Sequence, residues 1–78
     1  MGSIPPELIA KDAADLRQSY DATLATLDRT WRRLAVEASP LRRATLERRA
    51  WDLVHEARLV ATAHERATRA LEKAGADD

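Results

Sequence analysis

Two His-Glu pairs, His55-Glu56 and His64-Glu65, come closest in this chain to catalytic or metal chemistry. An imidazole beside a carboxylate can move a proton or help to hold a divalent cation. Their spacing argues against a shared metal. The histidines are nine residues apart, which at about 100° per residue puts them on opposite faces of a helix. They cannot close on one ion. Neither has a Glu three residues before it, so the Glu-x-x-His pattern of di-iron bundles is missing. The 78 residues include no cysteine, which excludes a thiolate metal centre and a disulfide framework. Gly2 and Gly75 are the only glycines, too few and too far apart for a phosphate-cradling loop. The expectation is a non-enzyme with no catalytic residue, metal or cofactor.

The elements that would carry these residues are marked by proline and glycine. Prolines occur only at 5, 6 and 40. Between them lie two long segments rich in Ala, Leu, Arg and Glu, all strong helix formers. Ser3 ahead of Pro5-Pro6 predicts a capped helix start near Pro6. Ser39-Pro40 repeats that arrangement in mid-chain, with Ser39 as N-cap and Pro40 in the first helical turn. Proline disfavours helical geometry in the residue before it, so the first helix should stop near Ala38. Gly75, after Lys73, is the expected C-terminal stop. The prediction is a single all-α domain over 1–78: helix 1 about 6–38, a turn about 39–40, helix 2 about 40–74, and a short acidic tail at 75–78.

Apolar spacing joins the two helices. In helix 2, Leu46, Ala50, Leu53, Ala57, Val60, His64, Ala67 and Leu71 follow an unbroken 4-3 rhythm. In helix 1, Ile9, Ala13, Leu16, Tyr20, Leu24, Leu27, Trp31, Leu34 and Ala38 form a comparable stripe. Seams of this length predict an antiparallel, coiled-coil-like hairpin. His64 falls in the seam and His55 faces away from it.

A two-helix hairpin cannot enclose a core, so apolar residues off the seam are informative. Trp51 points about 140° from the helix 2 seam. Val54 lies on the same flank, Leu41 and Leu59 on the opposite one, and Val36 faces away on helix 1. Ala14, Ala22 and Ala25 also face outward. An exposed Trp beside Val54, on a chain too small to be comfortably stable alone, predicts a contact surface. Trp51, Val54, Leu59, Leu41 and Val36 are the candidate partner-binding residues. The partner would be another helical protein, or a second copy completing a homodimeric four-helix bundle.

Charge is balanced overall, thirteen basic against thirteen acidic residues, and uneven along the chain. Residues 29–49 carry seven arginines against two glutamates, a local +5, while residues 1–28 sum to −3 and 50–78 to −2. The bend end is positive and the termini end negative. Acidic residues suit the start of helix 1 and arginines its end. Arg42 and Arg43 do not fit, because cations in the first turn of helix 2 oppose its dipole. Arg32, Arg33, Arg42, Arg43, Arg48 and Arg49 are therefore candidate anion-binding residues. The alternative function they suggest is a homodimeric bundle that binds nucleic acid through its bend. Neutral total charge and the absence of interleaved aromatics weigh against it.

The stretch Trp31-Arg32-Arg33-Leu34-Ala35-Val36-Glu37-Ala38-Ser39-Pro40, followed by Leu46, Ala50, Leu53 and Val60, resembles a known family. It is similar to the small helical-hairpin co-chaperones of bacterial type III secretion needle proteins, over about residues 16–64. The resemblance implies a cytoplasmic, non-enzymatic partner of a tetratricopeptide-like chaperone, the two together keeping the needle subunit monomeric before export. In that setting Trp51 and Val54 would face the chaperone. No apolar stretch approaches the roughly 20 residues needed to span a bilayer. The N-terminus lacks the basic start and apolar run of a secretory signal. A soluble cytoplasmic protein with no membrane partner is expected.

Overall fold

Pro6 and Pro40 both open helices, as the missing amide hydrogen of proline costs nothing in a first turn. The structure, a computed structural model, describes residues 4–76 as two helices, α1 (Pro6–Val36) and α2 (Pro40–Ala76). They pack against each other along their length as a rod of 58 × 16 × 16 Å. The all-α hairpin expected from the sequence is the fold. Helix α1 is continuous through Lys11 and Asp12. Ser3, the expected first cap, lies outside the described residues. Pro5 takes the cap position, its carbonyl accepting from the amides of Leu8 and Ile9 at 3.0 and 3.3 Å.

Three boundaries differ from the expectation. Helix α1 ends at Val36, because the chain must turn extended at Glu37 (φ −80°, ψ 123°) to reverse direction before Pro40. The connection therefore spans residues 37–39. Ser39 caps α2 as expected: its carbonyl accepts from the Arg43 amide at 2.9 Å and its hydroxyl from the Arg42 amide at 3.4 Å. At the other end α2 runs through Gly75 to Ala76, and Gly75 does not adopt the left-handed conformation of a helix stop.

The α2 seam is the one anticipated, with Ala50, Leu53 and Ala57 buried and Leu46, Val60, His64, Ala67 and Leu71 half-buried. The α1 seam is corrected at three positions: Ala38, expected at its end, lies exposed in the connection beyond α1, and two more differ within the helix. Thr23 and Thr30 are buried there, and Leu24 and Trp31 stand beside the seam at 38% and 40% exposure. The true α1 register is Ile9, Ala13, Leu16, Tyr20, Thr23, Leu27, Thr30 and Leu34, an unbroken heptad. Each buried threonine hydroxyl donates to the carbonyl four residues back, Thr23 to Ser19 at 2.9 Å and Thr30 to Thr26 at 2.8 Å. No buried side-chain polar atom among the described residues lacks a partner.

Small residues explain the preference for threonine. Ala50 and Ala57 are the small members of the α2 seam, alternating with Leu46 and Leu53, and Thr23 and Thr30 recur at the same seven-residue interval in α1. Ala50 is fully buried, so α1 and α2 approach closely there and no indole fits between them. Among the described residues the six buried ones, Thr23, Thr30, Leu34, Ala50, Leu53 and Ala57, lie in the half nearer the bend. Toward the termini the seam is only half-buried, and a 500 Å³ hollow opens between Leu8, Asp12 and Asp15 of α1 and Ala67 and Ala70 of α2. Fewer buried contacts mean easier local opening. Amide exchange read by mass spectrometry should therefore be slowest in 23–34 and 50–57 and fastest in 6–13 and 70–76. Uniform protection along both helices would contradict this gradient.

Candidate docking face

Helical geometry gives the hairpin two unlike flanks. One carries Asp12, Asp15, Thr26 and Arg33 on α1 with Thr45, Arg49 and Glu56 on α2, charged and polar except where Leu8, Ala67 and Ala70 line the hollow near the termini. The other is apolar. There Tyr20, Leu24 and Leu27 of α1 meet Val54, Ala57 and Ala61 of α2 around an open groove of 230 Å³, closed at one edge by Arg58. Trp31 stands one turn beyond Leu27, and Trp51 one turn before Val54. Both continue this flank toward the bend.

Exposure makes the flank a contact surface in waiting. Trp51 is 64% exposed, and Trp31 and Leu24 each keep more than a third of their surface in solvent. Two exposed indoles on the flank of an apolar groove that Tyr20 and Leu24 line are the composition of interface centres, where Trp and Tyr dominate binding energy. Arg58 suits its edge, as its aliphatic stem can cover apolar surface while its charge stays wet.

The predicted partner-binding residues divide between surfaces. Trp51 and the half-buried Val54 lie on the apolar flank. Leu41 (79% exposed) and Leu59 are on the polar flank, about five turns apart. Val36, at the end of α1, points outward. Those three are isolated among polar neighbours, and solitary exposed hydrophobes are ordinary. Tyr20, Leu24 and Trp31 were missing from the predicted face because the sequence pattern assigned them to the seam. The continuous 4-3 heptad through Thr23 and Thr30 is the signal that separates them.

The basic bend is partly committed to structure. The Arg43 guanidinium donates from Nη1 to the carbonyls of Leu34 and Glu37, both at 3.0 Å. It thereby satisfies carbonyls at the C-terminus of α1, where helix geometry leaves acceptors without partners. The Glu37 carboxylate accepts from the Ser39 amide at 3.2 Å, pinning the same turn. Arg32 pairs with Asp28 at 3.1 Å. Arg33 and Arg42 line a 270 Å³ hollow with Glu37, Leu41, Thr45 and Leu46. Arg48 and Arg49 are exposed, and neither forms an ion pair among the described residues.

The histidines stay apart, His55 exposed and His64 half-buried in the seam. Among the described residues no group of three His, Cys, Asp or Glu side chains could hold a metal ion. No described helix is long and apolar enough to cross a membrane. Comparison with known proteins adds no relative: no protein-family model, curated protein or solved structure matches the chain.

Proposed function

We propose that this chain is a non-enzymatic protein-interaction module, a small co-chaperone or adaptor that buries its apolar flank against the helices of another chain. One observation carries the proposal: Trp31 and Trp51, each within one turn of a groove residue, stand exposed on the flank that holds a groove lined by Tyr20, Leu24, Leu27, Val54 and Ala61. Helix-on-groove recognition uses apolar anchors at this spacing. The resemblance of residues 16–64 to type III secretion co-chaperones supplies one setting, the cytoplasmic shielding of a needle subunit beside a tetratricopeptide-like chaperone. That setting rests on the resemblance alone. Nucleic-acid binding through the bend has less support, because Arg43 and Arg32 already have partners within the hairpin.

The test is affinity capture of the tagged chain from its native cells, with wild type compared to Trp51→Ala and Trp31→Ala. A bound helical protein, a co-expressed untagged copy included, should be retained by the wild type through high-salt washes and lost from both variants. Apolar docking survives salt, whereas phosphate contacts weaken steeply with it. Capture that is indifferent to both tryptophans, or that disappears in salt, would sink the proposal.

A further inference from the structure

We infer that the chain buried against the apolar flank is a second, inverted copy of this same hairpin, an inference that rests on the interaction role proposed above. Exposed area is the first reason. The chain exposes 6292 Å², against about 4,700 Å² for a compact monomer of its 8.7 kDa mass. The excess exceeds the roughly 800 Å² that each partner gives up in a standard interface. A flank 58 Å long and 16 Å wide has room for one. Two hairpins packed flank to flank make a four-helix bundle, which encloses the core that one hairpin lacks.

Charge selects the partner and its direction. The chain is neutral overall, so two copies meet without net repulsion. Among the described residues its charge is uneven along the rod, +5 over 29–49 against −3 over 4–28 and zero over 50–76. A copy laid bend against bend would stack the two positive ends. An inverted copy sets the two basic bends at opposite ends of the pair and avoids that repulsion. A two-fold axis crossing α1 between Leu24 and Leu27 does this while keeping the apolar flanks together. In that register Leu24 meets the partner's Leu27, and Trp31 meets the partner's Tyr20. Trp51 falls between the partner's Arg58 and the partner's Ala61, a large ring over a small residue and beside a guanidinium.

Sedimentation equilibrium on the full chain, across a dilution series, reads the association directly. Wild type should hold twice its monomer mass. Trp51→Glu and Leu24→Glu should each raise the dissociation constant by about 30-fold or more. Leu59→Glu on the polar flank should leave it unchanged. Direction is read separately, without disturbing the central contacts. The chain has no cysteine, so Ala35→Cys and Arg17→Cys introduce single thiols on the apolar flank near its two ends. Oxidation of the mixed variants should join Cys at 35 to Cys at 17 between copies, and little 35–35 product should form. Predominant 35–35 cross-linking would overturn the inverted arrangement. A wild-type chain that stays monomeric at 100 μM would overturn self-pairing. If that monomer still lost its partner on Trp51→Ala in the capture experiment, the interaction role would stand and only the identity of the partner would fall. A dimer insensitive to both flank substitutions would overturn the inference and the docking face together.

Discussion

Leu53→Ala is expected to lower stability by about 2–3 kcal/mol, the largest loss from any single apolar truncation in this chain. Leu53 is 3% exposed and lies in the α2 seam between the buried Ala50 and Ala57. Removing its isobutyl group takes the main contact from the tightest part of the seam. Among the described residues four apolar side chains are buried, Leu34, Ala50, Leu53 and Ala57, so little remains to share the load. A two-layer hairpin can close partly over the gap, which keeps the cost toward the lower end of core truncations. For a small domain with a stability of about 5 kcal/mol, even that loss approaches half of the total. Leu71→Ala, half-buried near the open end, should cost about 1 kcal/mol and serves as the comparison. Thermal melts followed by circular dichroism, at one fixed protein concentration, check the order. The concentration must be fixed because association adds its own stabilisation to the folded state. Equal losses at 53 and 71 would contradict the gradient of packing along the rod.

That gradient was only partly legible in the sequence. The two helices, the Ser39-Pro40 reversal and the whole α2 seam follow from proline placement and one uninterrupted heptad. The α1 seam was legible in spacing but not in residue type. Leu24 with Trp31 and Thr23 with Thr30 are each seven apart, and both pairs fit the stripe. Hydrophobicity favours leucine and tryptophan, and close approach at Ala50 and Ala57 favours threonine. Proximity wins because a threonine that bonds back to its own helix needs nothing from the partner helix. The displaced Leu24 and Trp31 then join Trp51 on one flank, turning a set of scattered off-seam residues into a continuous face. The two faces therefore share a cause: the tight bend-end seam is what pushes the large residues outward.

The bend offers a second test, in which one of two adjacent arginines matters and the other does not. Arg43→Ala is expected to cost about 1.5–3 kcal/mol, the range for hydrogen bonds made by a charged group. Its guanidinium holds the carbonyls of Leu34 and Glu37 together, so the substitution leaves two acceptors at the end of α1 without that donor. Water can reach the more exposed Glu37 carbonyl. The Leu34 carbonyl is less accessible and still receives the Glu37 amide at 3.3 Å, which limits the loss. Arg42→Ala should change stability by less than about 0.5 kcal/mol, since the Arg42 backbone rather than its side chain takes part in the Ser39 cap. Sequence alone could not separate the two, because both stand as cations in the first turn of α2. The difference comes from the reversal at Glu37, which brings the C-terminal carbonyls of α1 within reach of position 43. Urea melts of the two variants at equal protein concentration decide the matter. Equal, small effects would mean that Arg43 is a solvated cation, free to meet an anion with its neighbours. A large effect at 43 alone would mean that the most conspicuous charge of the bend serves to hold the hairpin closed.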